Sequence, residues 1–120
     1  MSAGPALSFF AKLRLRISAR LVERLLQHLP QDPSLLQRMG LIRLALGEYG
    51  TAIAAFEQAR AAGGADPAVH YHLARALEAA GRGREALACY DRAMALLPGF
   101  TEAREARQTL AGELRKERAD

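Results

Sequence analysis

Small and apolar residues recur along the chain three, four and seven positions apart, the spacing of one face of an α-helix, and no stretch predicts a strand. Asp32-Pro33 and Asp66-Pro67 each open such a run. Aspartate as N-cap with proline at the first helical position is a helix start. Gly47 and Gly81 stand where these first helices must end and the chain must reverse. A second helix follows each glycine, built on Ala52, Phe56 and Ala59 in one case and Ala86, Tyr90 and Ala93 in the other. Small residues seven apart let two helices approach closely, and the aromatic between them fills the groove. Sliding the chain along itself until Gly47 falls on Gly81 superposes all of these positions, together with Met39 on Leu73. Each segment therefore predicts a helix–turn–helix hairpin that cannot bury its apolar face alone and must stack on a neighbour.

The flanks extend the pattern. Residues 7–29 read as one helix running to Pro30, and its second half (Val22, Leu25, Leu26 and Leu29) suits the last helix of a degenerate preceding repeat. Residues 101–118 read as a capping helix with Thr101 as N-cap and with Ala103, Ala106, Leu110 and Leu114 on one face. Glu102 and Glu105 near its start and Arg115, Lys116 and Arg118 near its end complement the helix dipole. The predicted organisation is six helices in one domain: a basic amphipathic helix or degenerate repeat over 1–32, repeats over 33–66 and 67–100, and a cap over 101–120.

Composition agrees with an all-α chain, since Ala and Leu dominate and the β-branched and aromatic residues are few. No apolar run approaches the length of about 20 residues that a spanning helix needs. Charge adds information through its placement. The net charge is +4, and residues 1–30 carry all of the excess as Lys12, Arg14, Arg16, Arg20 and Arg24 against Glu23. A lone Cys89 excludes an internal disulfide and a multi-cysteine metal site, and a reducing cytoplasm is the expected setting.

The stretches "MGLIRLALGEYGTAIAAFEQA" (39–59) and "LARALEAAGRGREALACYDRAMALLP" (73–98) resemble the tetratricopeptide repeat family in their Leu-Gly/Ala, Gly-x-Tyr, Ala, Phe/Tyr, Ala and Pro positions. Pro98 takes the closing proline, and Pro30 takes it for the preceding unit. Departures are local. Gly63-Gly64-Ala65 replaces the first repeat's proline, Gly83 stands where Tyr49 does, and Leu36 and His70 occupy the place of the early tryptophan. The resemblance implies an α–α superhelix of stacked hairpins that binds another protein. It places Gln37, Arg38, Leu41 and Leu44 of the first repeat, and Tyr71, His72, Arg75 and Glu78 of the second, on the groove face. Some members of the family hold a C-terminal carboxylate with a Lys/Asn clamp, and Gln37 and Leu41 stand at two of the clamp positions here, which disfavours that mode.

The first helix asks for its own explanation. Phe9, Phe10, Leu13 and Ile17 form one flank and Leu15, Val22, Leu26 and Leu29 drift to another, a broader apolar surface than one hairpin covers. Three readings stand open for it, through the contact residues Phe9, Phe10, Leu13, Arg14, Arg16 and Arg20. The helix packs on the stack with a solvated basic face, pairs with a partner or a second copy of the chain, or lies on an anionic membrane surface. The acid-free stretch 1–22 resembles a presequence, but the fold needs the helix that it enters, and basic residues interrupt any secretory apolar core. Four arginines without a reading motif disfavour nucleic acid. His70 and His72, two apart, point to different helix faces and share no metal, while Cys89 beside Tyr90 is expected to be a packing residue. No cluster of titrating groups supports an enzyme, and no cofactor is expected. The expected function is a non-enzymatic adaptor or assembly scaffold, with a membrane-surface assembly factor as the alternative.

Overall fold

The computed structural model describes residues 7–63 and 66–119, which fold into six α-helices with no strand among the described residues: α1 (Phe9–His28), α2 (Pro33–Ala45), α3 (Tyr49–Ala61), α4 (Pro67–Ala79), α5 (Gly83–Leu96) and α6 (Thr101–Ala119). Gly64 and Ala65 of the inter-repeat loop, residues 1–6 of the acid-free N-terminal stretch, and Asp120 lie outside the described residues.

The repeated helix starts form as their chemistry dictates. The Asp32 carboxylate accepts from Leu35 N–H at 3.0 Å and the Asp66 carboxylate from Val69 N–H at 2.9 Å. Each satisfies an orphan donor of the first turn, worth about 1 kcal/mol. At the far ends Gly47 and Gly81 take positive φ, 78° and 83°, which residues with a Cβ rarely adopt, and the chain turns back into α3 and α5.

The helices stack in order. Each packs on the next, and α2 also touches α4, so the first helices of the two hairpins share one side of the stack. The larger core joins α3, α4, α5 and α6 around Phe56, Leu73, Leu77 and Tyr90. A smaller one joins Ala19 and Val22 of α1 with Met39 and Ile42 of α2 and Ala55 of α3. Within the first hairpin the close approach is tight. A methyl group on Gly40 would come within 2.6 Å of the Phe56 ring, so a glycine is what lets the aromatic lie in the α2–α3 groove. The described residues extend over 47 × 34 × 22 Å with a radius of gyration of 15.2 Å, larger than the roughly 13–14 Å of a compact globule this size.

The structure departs from the sequence expectations at two places. Thr101 is not the N-cap of α6 but its first helical residue; the preceding Phe100 carbonyl accepts from Arg104 N–H, and the Thr101 hydroxyl donates to Gly99 O instead. In the repeat register Phe100 stands to Asp66 as Asp66 stands to Asp32, so the register runs one hairpin further than its Asp-Pro signature. Leu25 and Leu29 do not pack on the stack: of the four positions expected there, Val22 is buried and Leu26 half-buried, while these two are exposed. The reason is rotation about the helix axis, because Ala11, Leu15, Ala19, Val22 and Leu26 already make a complete stripe toward α2.

Candidate partner-binding face

The face built by α2 and α4 is shallow and set around one leucine. Leu41, exposed in mid-helix on α2, borders two recesses. One, of about 470 Å³, lies between α1 and α2 and is lined by Leu15, Ser34, Gln37, Arg38, Leu41 and Ile42. The other, of about 400 Å³, lies between the two hairpins and is lined by Leu41, Leu44, Ala45, Tyr49, Arg75 and Ala79. Both are of the size that takes a side chain or a short turn of peptide. The Gln37/Arg38, Leu41 and Leu44/Ala45 spacing puts these α2 residues on one side of the helix, and Arg75 and Ala79 do the same on α4.

Five of the eight groove residues named from the sequence are thereby brought to the two recesses: Gln37, Arg38, Leu41, Leu44 and Arg75. The other three are held within the protein's own packing. The half-buried Tyr71 lies 5.1 Å, centroid to centroid, from Phe100 and 6.0 Å from Tyr90, with the Arg75 guanidinium 5.9 Å from its ring. His72 stacks on Phe56 at 5.9 Å, and burial followed by the Arg75 charge holds its pKa below the usual imidazole value. Glu78 accepts a hydrogen bond from the Tyr90 hydroxyl at 2.8 Å, and burial together with that bond pushes the phenol pKa up. Arg38 and Arg75 sit at the edges of the recesses, and among the described residues no carboxylate pairs with either. The chemistry on offer is an apolar contact at Leu41 and Leu44 with a cation on each side.

Sequence inspection missed contributors from outside the two first helices. Tyr49 opens α3 beside the second recess, and Leu15 of α1 walls the first. Tyr49 was legible as a repeat position, but its partner Gly83 explains what became of the aromatic in the second copy. A Cβ on Gly83 would meet the Leu114 side chain at 3.0 Å, so glycine there admits α6. Of the N-terminal contact residues, Phe9, Phe10, Leu13, Arg14, Arg16 and Arg20 all lie on the exposed surface of α1. Arg16 and Arg20 border a further concavity with Leu13, Ile17, Glu23 and Arg43, away from the groove. Among the described residues no three His, Cys, Asp or Glu side chains gather as a metal site would require. Cys89 is buried, with its thiol pKa pushed up by that burial, so it packs as a small apolar residue.

The Thermobaculum terrenum O-GlcNAc transferase (a mutant) shares 26% identity with a TM-score of 0.75 over 80% of this chain, which spans only 18% of that one. The first TPR of Spaghetti (RPAP3) bound to an HSP90 peptide superposes with a TM-score of 0.82 at 18% identity, covering 89% of this chain and 85% of that one. The Yersinia enterocolitica type III secretion chaperone SycD, in complex with a peptide of the translocator YopD, gives 0.72 at 19% identity over 92% and 86% of the two chains. The last two likenesses establish the fold. No curated protein matches the sequence. The profile of the tetratricopeptide repeat matches residues 43–110, more than half of the chain, from the end of α2 through α3, α4 and α5 into α6, and the chain therefore belongs to the tetratricopeptide-repeat family.

Proposed function

We propose that the chain is a non-enzymatic protein-interaction module, an adaptor or assembly scaffold that takes a peptide or helix of a partner protein along α2 and α4. The observation that carries this reading is the pair of recesses that share exposed Leu41 as a wall, with Arg38 and Arg75 unpaired among the described residues beside them. Such a face suits a segment that sets an apolar side chain on Leu41 and Leu44 and offers acidic groups to the two arginines. The groups lining the recesses are leucines, an isoleucine, alanines, a serine, a glutamine, a tyrosine and arginines, a set with no base to abstract a proton. Peptide binding in two proteins of the same fold supports the same reading. A reducing cytoplasm as its setting belongs to the proposal too, resting on the lone Cys89.

The test is affinity capture from the native lysate by the full chain and by an Arg38→Glu/Arg75→Glu variant. Neither residue belongs to the buried core, and Arg75 loses only its contact with the Tyr71 ring, so the variant should stay folded with a loss of about 1 kcal/mol or less. A protein captured by the wild type and lost from the variant supports the groove. The same proteins captured equally by both would remove it.

A further inference from the structure

α1 has two apolar faces, and the structure uses one. The stripe through Leu15, Ala19, Val22 and Leu26 is spent on α2. A second stripe, Phe10, Leu13, Ile17, Leu21 and Leu25, steps along the helix by three or four residues and faces away from the stack, with every member exposed. It runs over about 22 Å of helix.

The repeat register says what this stripe lacks. Carried back through the two repeats, the register sets Leu21 in the place of Ala55 in α3 and Cys89 in α5, and Leu25 in that of Ala59 and Ala93. Those residues are buried, Ala55 against Met39 and Ile42 of its own hairpin partner α2, with exposures of 7% for Ala55 and 0% for Ala59. Leu21 and Leu25 are 55% and 50% exposed. From Leu15 onward α1 thus stands in the register of a hairpin's second helix, with no first helix packed beside it among the described residues. Leucine in place of alanine keeps an incoming helix further out than α2 or α4 stand from their partners, so the seam is one of interdigitating leucines rather than of close backbone approach.

Charge selects the occupant. Arg20 borders the stripe beside Leu13, Arg24 and Arg14 fall within its width, and among the described residues no carboxylate pairs with any of them. Arg16, by contrast, reaches Glu48 at 3.8 Å. A second copy laid on the stripe would bring these three arginines against their own kind, which opposes association. By helical spacing Arg24 falls between Leu13 and Ile17, within the width of the stripe, so an acidic side chain beside the seam of a docked helix would meet it.

We propose that the outer stripe of α1 docks an amphipathic helix of another protein whose leucine-like seam is flanked by Glu or Asp, completing the N-terminal hairpin in trans. This site is separate from the α2–α4 face and stands or falls without it. The probe is a labelled synthetic peptide of about 20 residues, long enough to match α1, with leucines every three to four positions flanked by glutamates; a second peptide carries lysines in place of the glutamates. Binding to the full chain is followed by fluorescence anisotropy. The acidic peptide is expected to bind saturably and the basic one not at all. Leu21→Gln/Leu25→Gln and, separately, Arg20→Glu/Arg24→Glu should each weaken binding about tenfold or more at unchanged melting temperature, since truncating the centre of a seam typically does so. Arg38→Glu/Arg75→Glu should leave it intact. Equal binding by the leucine variant, or loss only in the Arg38/Arg75 variant, overturns the proposal. So does a dimer of the chain alone that becomes monomeric with Leu21→Gln/Leu25→Gln, which gives the stripe to a second copy. Binding to phosphatidylserine vesicles that this variant abolishes, with no peptide bound, gives it to a membrane.

Discussion

His70 shows how a single position of the repeat can carry a condition on the whole fold. It stands in the first helix of the second hairpin, where the first repeat has Leu36, and it is buried as that leucine is. Its Nδ1 has no hydrogen-bond partner among the described residues. Burial lowers its pKa below 6.5, and the nearby Arg92 and Arg60 lower it further, outweighing Asp66. His72 is shifted in the same direction, again chiefly by burial. A group whose folded pKa lies below its unfolded one is taken up neutral, so the unfolded chain binds the extra proton and the fold loses stability as pH falls. Stability should be level above pH about 7 and decline from about 6.5 downward, toward the folded values. Thermal melts over the range from about pH 7 down to about 5.5 check this, and His70→Leu/His72→Gln should flatten the decline. A decline of the same steepness in that variant would assign it to other groups.

At the scale of elements, the attachment of α1 depends on a residue that no local pattern marks. Arg43, late in α2, donates to Glu23 of α1 and to Glu48 of the α2–α3 turn, both at 2.8 Å, and is only partly exposed. It ties three elements at the edge of the smaller core. Each pair, being near the surface, is worth some tenths to about 1 kcal/mol, so Arg43→Ala should cost about 1–2 kcal/mol. The loss should fall on α1, whose remaining anchors are the Ala19–Val22 stripe and the looser Arg16–Glu48 pair. Hydrogen exchange is the measurement: faster exchange in residues 15–26 with α4 and α5 unchanged is expected, and uniform acceleration would show that α1 is not a separable unit. The second hairpin solves its docking differently, with Gly83 opening a place for Leu114 and Leu110 of α6 and the Phe100 ring packed on Tyr71.

For the whole molecule, two repeats are fewer than the three that a stack of this kind usually needs. The end helices supply the difference. α6 buries Ala103 and Leu110 and, with Phe100 just before it, brings Ala106 and Leu114 against the larger core. Removing it uncovers several large side chains at about 1.5–3 kcal/mol each, a sum comparable to the total stability of a small domain. A chain ending at Pro98 should therefore lose its cooperative helical melt by circular dichroism. A truncated chain with an undiminished melt would place the stabilising core in α1 to α5 alone.

How much of this was legible in the sequence follows from the range of the interactions involved. Asp32, Asp66, Gly47, Gly81 and the Ala-aromatic-Ala spacing act within a turn or two of helix, so residues close in sequence determine them, and with them six helices, their order and the hairpin register. The eight groove positions were placed by that register, but only packing among helices decided that Gln37, Arg38, Leu41, Leu44 and Arg75 border recesses while Tyr71, His72 and Glu78 are engaged by Phe100, Phe56 and Tyr90. Arg43 bridges to Glu23 across the α1–α2 connection, and Phe100 takes a cap position with a side chain that cannot cap. α1 carries two apolar stripes of similar strength in its sequence. Which one is buried was settled by the tertiary structure, because only the stripe complementary to Met39 and Ile42 of α2 could be covered there, and the other was left to water.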